Sequence, residues 1–237
     1  MYREIGGILR DYNLKLNYLK NEKASCLVSM GNTQVLCVAT LQKKLPPFLN
    51  PDESGWITAE YSMLPRSSVN RVERERGKIN SRSTEIQRLI GRALRASVDL
   101  KKIKNLSIIV DCDVILADGG TRCASINGGM AVLYVLVSKL LKDGVIKENP
   151  FKTYIGAISG GIVDKKIMID LDYENDSKSS SDFNFVLDDK GKIVEIQGTS
   201  EKDNISKDDF DKIFEKAKKE IFKIIDFSKK KVKYGKI

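Results

Sequence analysis

Residues 106–142 carry the pattern that most constrains the fold of this chain. Within 106–116, apolar and polar residues alternate, which is typical of a strand with one buried face. A turn rich in glycine follows at 117–122, and the next segment has the pattern of a helix that ends at about Lys142. Residues 131–137 of this helix are apolar on nearly every side, so the pattern predicts a central, buried helix.

The rest of the chain supplies strands on both sides of this helix and two further helices. Strands are predicted at 12–18, 24–30, 34–40, 56–64, 154–163, 166–171, 183–187 and 193–197. Helices are predicted at 84–100 and from Ser206, where Asp209 provides a capping-box partner. Because strands and helices do not alternate regularly, the order indicates an α+β fold with mixed, largely antiparallel sheets packed with helices. No linker divides the chain, so we expect a single domain over 1–237 with a frayed basic tail from about 229.

The composition excludes several classes of protein. The 237 residues include no histidine, so a Ser-His-Asp triad, a Cys-His pair and an HExxH zinc site each lack a required residue. The four cysteines form no CxxC pair, and the N-terminus lacks the plan of a signal peptide. No apolar run approaches the roughly 20 residues that span a bilayer. We therefore expect a reduced, cytoplasmic protein without membrane contact.

Basic residues are concentrated in one segment. The chain has a net charge of +9, and residues 66–104 hold twelve Lys or Arg residues against four acidic ones. Within this segment, 69–81 is polar and lacks apolar periodicity, which predicts a long exposed loop. The arginine loop at 66–82 is therefore a candidate binding site and suggests a polyanionic partner, nucleic acid first, because the guanidinium group binds phosphate at two points. The charge alone is equally consistent with a solvated helix face beside a basic loop.

A candidate anion site lies at 118–125, where DGGTRCAS joins the strand to the central helix. Small residues let an anion approach closely, amides at the helix start point outward, and Arg122 lies within the first turn. In the alternative interpretation, Asp118 is an ordinary N-cap and the glycines only form a tight turn. The segment is no Walker A loop, since GK[ST] is absent.

The second candidate site is an acidic stretch whose carboxylates suit Mg²⁺ or Mn²⁺. Its members are Asp170, Asp172, Glu174, Asp176 and Asp182. A solvated acidic loop that balances a basic protein is the alternative. Together with an anion site and a basic loop, a divalent ion would supply what phosphodiester chemistry needs without histidine. The residues alone do not decide whether water or phosphate is the nucleophile.

Several long segments together resemble the ribonuclease PH family of phosphorolytic 3′→5′ exoribonucleases. They are GWITAEYSMLPRS at 55–67, SRSTEIQRLIGRALRA at 81–96, DCDVILADGGTRCASI at 111–126, DLDYENDS at 170–177 followed by DFN at 182–184, and VEIQGTSE at 194–201. They come in family order and at family spacing. The resemblance covers about residues 12–228.

This resemblance implies a ribosomal protein S5 domain 2-like fold and a homo-oligomer, a hexameric ring built as a trimer of dimers. It also implies a phosphate-dependent, tRNA nucleotidyltransferase-type reaction. Inorganic phosphate, the co-substrate, attacks the 3′-terminal linkage of RNA, chiefly of tRNA precursors, and a nucleoside 5′-diphosphate leaves. The reverse reaction adds nucleotides from diphosphates.

The resemblance also assigns roles to residues of this chain. Phosphate binding is implied for Arg82, Gly120, Thr121 and Arg122. Binding of Mg²⁺ (or Mn²⁺) is implied for Asp176 and Asp182, and catalysis for this pair together with Arg82 and Arg122. Contact with RNA is implied for Arg66, Arg71, Arg74 and Arg76.

The chain departs from the family pattern at a few positions. Ser81 and Ser83 replace the Gly and Thr around the arginine, Leu116 replaces Gln, and Cys123 replaces Thr. The start is shorter and lacks the Arg-x-Asp-Gly-Arg opening. Three alternatives remain: an inactive RNA-binding ring subunit of an exosome-like assembly, an archaeal-type exosome-core enzyme and a hydrolytic metal-dependent nuclease. We expect activity, because all charged site residues of the family are present.

Overall fold

A computed structural model of the chain describes residues 9–42, 44–74, 80–202 and 204–234. The strands are β1 (Tyr12–Leu16), β2 (Ser25–Met30), β3 (Thr33–Gln42), β4 (Trp56–Met63), β5 (Ser107–Leu116), β6 (Ile155–Val163), β7 (Lys166–Ile169), β8 (Ser181–Asp188) and β9 (Ile193–Ser200). The helices are α1 (Ser81–Ala96), α2 (Thr121–Lys142), α3 (Tyr173–Lys178) and α4 (Lys207–Tyr234), with a 3₁₀ turn at Leu100–Ile103.

The strands form two sheets. The five-stranded sheet has the order β1-β2-β3-β5-β4, and the four-stranded sheet has the order β7-β6-β8-β9. Every neighbouring pair is antiparallel except β4 with β5. This pair runs parallel because α1 carries the chain from the end of β4 back to the start of β5. The prediction of an α+β fold with mixed, largely antiparallel sheets is confirmed.

The central helix α2 lies between the two sheets, as the sequence predicts. It packs against β2, β3 and β5 on one side and against β6 and β8 on the other. The buried side chain of Asn127 donates to the oxygen of Ala157 at 2.9 Å and accepts from its nitrogen at 2.8 Å, which ties α2 to β6. Within the described residues α2 is long and apolar enough to cross a membrane, contrary to our expectation from the sequence. Here, however, most of its surface is enclosed by the sheets.

The last helix, α4, covers the opposite face of the four-stranded sheet. Phe183 and Phe185 of β8 pack against Phe210 and Phe214 of α4. Asn184, between them, faces the other way, toward α2. Both faces of this sheet are therefore covered by helices, and Asp182 and Asn184 of β8 lie on the face toward the N-terminal end of α2.

The chain end is helical to Tyr234, so the prediction of a frayed tail from about 229 is wrong. Lys229 forms an ion pair with Asp189 at 2.5 Å, and Val232 is buried. An inward residue recurs at each turn up to Val232, which holds the last turns against the core. The run of three lysines hides this periodicity in the sequence.

The limits of α1 differ from the predicted ones, and the short helix α3 is absent from the prediction. α1 begins three residues earlier, because Asn80 is its N-cap and accepts from the amide of Ser83 at 2.7 Å. It also ends earlier, at Ala96, since Leu100–Ile103 forms a separate 3₁₀ turn. The sequence pattern does not reveal α3, because a polar helix of six residues has no apolar stripe.

Candidate active site

The start of α2 is preceded by two glycines in the left-handed conformation. Gly119 and Gly120 have φ angles of +73° and +69°, and Gly120 is the N-cap without any side-chain capping bond. The alternative interpretation of Asp118 as the N-cap is wrong, because its carboxylate accepts from Asn32 and from the amide of Tyr173. The first amides of α2 have no side-chain partner from a cap, which suits an external anion.

Two helices at the site have an arginine, and no acidic residue, in their first turn. Arg82 lies in the first turn of α1, and Arg122 lies in the first turn of α2. The helix dipole disfavours cations at this end and favours anions. Glu85 of α1 forms an ion pair with Arg122 of α2 at 3.0 Å, so the N-terminal parts of the two helices lie side by side. This arrangement favours an anionic ligand between them.

Glu85 holds the side chain of Arg122. Nη2 of Arg122 donates to Glu85 at 3.0 Å, and Gln197 of β9 donates to the other oxygen of Glu85 at 2.9 Å. Partial burial would raise the pKa of Glu85, but the hydrogen bonds from Gln197 and Arg122 outweigh it and lower the pKa. Within the described residues Nε of Arg122 is buried and has no partner, so this donor remains for a ligand.

Tyr61 of β4 fixes the first residue of α2. Its hydroxyl lies 2.9 Å from Oγ1 of Thr121, and burial raises the pKa of Tyr61, so the phenol stays neutral. Thr121 is itself buried. A rigid strand thus sets the position of the helix start.

The two carboxylates that the resemblance assigns to a metal lie beside these arginines. Burial raises the pKa of Asp176 in α3, and the nearby charge of Asp182 in β8 raises it further. The positive charges of Arg122 and Arg82 lower it again in part. Burial also raises the pKa of Asp182; Glu201 adds to this and Arg122 opposes it. The structure therefore brings Arg82, Arg122 and both carboxylates into one electrostatic cluster.

The donor set at this cluster fits Mg²⁺ rather than a metal held by protein ligands alone. In the described part of the chain, no group of three or more Cys, Asp or Glu residues is placed to hold a metal ion. Mg²⁺ is commonly bound by one or two carboxylates and completes its shell with waters and substrate phosphates. Two carboxylates that repel each other beside an anion site suit such an ion.

The other acidic residues of the stretch have structural partners. The side chain of Asp170 is fully buried against Arg10. Asp172 is the N-cap of α3 and accepts from the amide of Asn175 at 2.8 Å. Glu174 forms an exposed ion pair with Lys178. The broad acidic cluster of the sequence therefore divides, and only Asp176 and Asp182 lie with the arginines.

The arginine loop is exposed where the structure describes it. Arg66, Arg71 and Arg74 are exposed, and Arg76 lies outside the described residues. Further along the basic segment, Arg92 forms an ion pair with Glu195, and Arg95 lies over the ring of Trp56 at 4.4 Å. The helix arginines thus serve partly in packing, while those of the loop remain accessible.

Comparisons with known proteins give the family. Residues 8–137 match the model of the 3′ exoribonuclease family, domain 1, and residues 153–220 match that of domain 2. The chain is 46% identical over 219 residues to the ribonuclease PH of Neisseria meningitidis (serogroup C), covering 92% of this chain and 90% of the relative. It is 47% identical over 225 residues to the ribonuclease PH of Bacillus subtilis (strain 168), covering 93% and 91%. This chain belongs to the ribonuclease PH family.

Solved structures of low identity show the same fold. An exosome of Archaeoglobus fulgidus, described as having RNA bound to the active site, superposes with a TM-score of 0.76 at 22% identity, covering 91% of this chain and 87% of that one. Rice (Oryza sativa) Rrp46 superposes with a TM-score of 0.74 at 18% identity, covering 94% and 95%. The expected fold and the resemblance to ribonuclease PH are confirmed.

Departures from the ribonuclease PH pattern cause no visible break in the site. Ser83 is buried, and its amide completes the N-terminal cap of α1. Cys123 is buried, and its thiol donates to Asn184 at 3.2 Å. Leu116 is 41% exposed at the end of β5, and Ser81 is exposed at the start of α1. None of these side chains displaces a charged residue of the cluster.

Sequence reasoning missed the residues that support the site. Glu85 and Gln197 lie within quoted motifs, yet nothing in the sequence pairs positions that are 112 residues apart. Tyr61 lies on a buried strand and reads as core. The sequence does contain one signal, since α1 and α2 each have an arginine in the first turn, where the helix dipole favours an acidic residue.

Proposed function

We propose that this chain is a phosphorolytic 3′→5′ exoribonuclease that shortens the 3′ ends of tRNA precursors and other RNAs. The observation that carries the proposal is the cluster in which two helix starts with arginines meet two partly buried carboxylates. Arg82, Arg122 and the amides at Gly120 and Thr121 bind inorganic phosphate, the co-substrate.

The reaction needs no histidine, because the nucleophile is already an anion. An oxygen of hydrogen phosphate forms a bond to the phosphorus of the terminal nucleotide, and the bond from that phosphorus to the preceding 3′ oxygen breaks. The proton of hydrogen phosphate ends on this 3′ oxygen, so the products are a nucleoside 5′-diphosphate and a chain shortened by one. Arg82 and Arg122 hold the phosphate in line and balance the charge of the transition state.

Asp176 and Asp182 are the residues that would hold Mg²⁺, or Mn²⁺, at this site. When bound, the ion neutralises charge on the scissile phosphate. Burial and nearby carboxylates raise the pKa values of both carboxyl groups, and a bound divalent cation would relieve the repulsion between these like charges.

The exposed arginine loop contacts the RNA backbone. Arg66, Arg71, Arg74 and Arg76 would bind phosphates without reading the sequence. We further propose a homo-oligomer, a hexameric ring built as a trimer of dimers, in the cytoplasm, where the four free cysteines stay reduced. Size-exclusion chromatography with light scattering should give a mass several-fold above the 26.6 kDa of one chain, and a monomer would contradict the ring.

The decisive assay identifies the released nucleotide. The purified protein is incubated with Mg²⁺ and a short RNA that carries a few nucleotides after a CCA end, with and without inorganic phosphate. Diphosphates released only with phosphate are the expected result. Monophosphates released without phosphate would mean a hydrolase. RNA bound but uncut in both reactions would mean the alternative, an inactive RNA-binding ring subunit.

Arg82 provides the residue test. Arg82→Ala should abolish phosphate-dependent turnover and leave RNA binding largely intact. Arg88→Ala, which removes an exposed arginine from the same helix, is the matched control and should leave turnover near the wild-type rate. Equal loss of RNA binding and turnover in Arg82→Ala would mean that Arg82 binds RNA rather than inorganic phosphate.

A further inference from the structure

The turn before α2 is held from behind by an ion pair outside the cluster described above. Nη1 of Arg10 donates to the carbonyl oxygen of Asp118 at 2.6 Å, and Nη2 donates to Asp170 at 2.7 Å. The amide of Arg10 donates to the second oxygen of Asp170 at 2.9 Å. Residues 1–8, which precede Arg10, lie outside the described residues. The side chain of Arg10 is largely buried, with 17% of its surface exposed.

A second contact holds the next carbonyl of the same turn. Oγ1 of Thr33, at the start of β3, donates to the oxygen of Gly119 at 2.6 Å and accepts from the amide of Asp118 at 2.9 Å. The stem of Arg10 passes over Gly31, where a Cβ would lie 2.8 Å from Cδ of Arg10. The hairpin turn and Arg10 therefore form one support beneath the glycines.

These contacts fix the direction of two backbone amides. In a trans peptide the carbonyl and the following N–H point in opposite directions, and no described peptide bond is cis. With the carbonyls of Asp118 and Gly119 held from behind, the amides of Gly119 and Gly120 face away from Arg10 and Thr33. Among the described residues neither amide has a hydrogen-bond partner. The support therefore leaves two donors at the start of α2 that no described residue accepts from.

The segment that carries Asp170 is strained and closely packed. Asp170 has a φ of +59°, a conformation that costs energy for a residue other than glycine. Its amide donates to the oxygen of Ser159 at 2.7 Å, and Oγ of Ser159 accepts from Leu171 at 3.0 Å. A Cβ at Gly119 would lie 2.4 Å from the oxygen of Leu171, so the turn rests directly on this segment.

We propose that the Arg10–Asp170 ion pair is a positioning device that aims the amide of Gly120 at the bound phosphate and adds the amide of Gly119 beside it as a further donor. This inference rests on the proposed function, since it assigns the support of that same phosphate site. A buried ion pair contributes little net stability, so its value lies in the geometry that it specifies. Arg10 and Asp170 act through the turn and are positioning residues rather than catalytic ones.

The test uses two conservative variants. Arg10→Lys keeps the charge, but a single ammonium group does not reproduce the guanidinium fork that joins Asp170 to the carbonyl of Asp118. Asp170→Asn keeps the shape and removes one acceptor. In either variant, the KM for inorganic phosphate should rise about ten-fold or more, because a misplaced binding group costs up to about a hundred-fold. The KM for RNA should stay within two-fold, and saturating phosphate should restore most of kcat.

A matched control and a second readout keep the inference open to refutation. Asp189→Asn removes the partly buried ion pair with Lys229 in the C-terminal part of α4. This variant should leave the KM values for phosphate and for RNA unchanged. Inorganic phosphate alone should raise the melting temperature of the wild-type protein and of Asp189→Asn, but much less that of Arg10→Lys.

Two results would overturn the positioning role. One is a folded Arg10→Lys variant with an unchanged KM for phosphate and an unchanged thermal shift. The other is a parallel rise in the KM values for phosphate and RNA, which would indicate a general structural role. If the wild-type enzyme releases monophosphates without phosphate, the proposed function fails instead, and the thermal shift still decides whether the pair supports an anion site.

Discussion

Two adjacent glycines of α2 meet very different surroundings. A Cβ at Gly128 would lie 2.6 Å from Sγ of Cys37 and 2.7 Å from Cγ1 of Val28, so no side chain fits there. A Cβ at Gly129 would lie 3.4 Å from Val110 and 3.5 Å from Leu94, which is ordinary contact. The first glycine lets the five-stranded sheet approach α2, whereas the second only weakens the helix.

This difference predicts opposite effects of the same substitution. Gly128→Ala should lower the free energy of unfolding by about 1–3 kcal/mol through overpacking. Gly129→Ala should leave it unchanged or raise it by up to about 1 kcal/mol, because alanine is the better helix former. Urea unfolding at one fixed protein concentration measures both variants. Equal destabilisation by the two would contradict the packing argument.

The buried thiol of Cys26 makes the stability depend on alkaline pH. Burial raises the pKa of Cys26 to about 12, above its value in the unfolded chain. The folded state therefore retains the proton longer, so the contribution to stability is complete below about pH 9 and is lost as the pH rises toward 12. The loss reaches at most about 1.4 kcal/mol for each pH unit.

Cys26→Ala isolates this effect. The free energy of unfolding of the variant should fall less steeply between pH 9 and pH 11 than that of the wild type, as measured by urea unfolding at each pH. The variant is less stable at neutral pH because it leaves a small cavity, so the slopes are compared rather than the absolute values. Parallel slopes would refute the assignment to Cys26.

At this scale the sequence predicts which residues have the right chemistry but not which partners they take. Gly120 and Arg122 could be singled out because their motif lies at a strand–helix junction. Asp170 and Asp176 look alike in the sequence, yet only Asp170 forms an ion pair with Arg10, which lies 160 positions away. Pairings over such distances are set by the tertiary fold.

At the scale of elements, the end of α4 shows how packing decides order. Val232 is 1% exposed and lies in the last turns of the helix, whereas Lys233 beside it is exposed. Val232→Ala should lower the free energy of unfolding by about 2 kcal/mol, from lost burial and a cavity. Lys233→Ala should change it by less than about 0.5 kcal/mol. Thermal or urea unfolding measures both variants. Equal effects would mean that the end of α4 is frayed, as the sequence predicts.

Elements with a strong hydrophobic periodicity can be predicted from the sequence. Elements that depend on contacts with residues outside themselves cannot. The all-round apolar pattern of α2 identified the central helix, and Ser206 and Asp209 form the predicted capping pair at the start of α4. The parallel pairing of β4 with β5 follows from the path of α1, which no local pattern reveals. α3 forms because Asp172 caps it, not because its own residues favour a helix.

At the scale of the whole molecule, some basic residues form contacts within the fold and others remain exposed for a ligand. The excess charge is concentrated in one segment of the sequence. In the fold, Arg92 of this segment forms an ion pair with Glu195 and Arg95 packs over Trp56, while Arg66, Arg71 and Arg74 stay exposed. The single-domain prediction for 1–237 stays a prediction, as do the roles of the site residues. The exposed arginines offer the clearest test at this scale.

Replacement of Arg66, Arg71 and Arg74 by glutamine should weaken RNA binding in a salt-dependent way. Each lost phosphate contact lowers the slope of log K against log salt by about 0.7 for single-stranded nucleic acid, so the triple variant should lose a slope of about 2. Fluorescence anisotropy of a labelled single-stranded RNA at several salt concentrations measures this. The KM for inorganic phosphate should stay unchanged, because the loop arginines lie outside the phosphate cluster.

The matched control removes the same charge from another surface. Lys216, Lys219 and Lys230 are exposed on α4, a helix that carries no residue of the phosphate cluster or of the arginine loop, and their replacement by glutamine lowers the net charge equally. If RNA follows the arginine loop, this variant keeps most of the wild-type slope, since general attraction by the +9 chain contributes less than direct contacts. Equal losses of slope in the two variants would mean that RNA responds to the overall charge, and that the loop has no special place in binding.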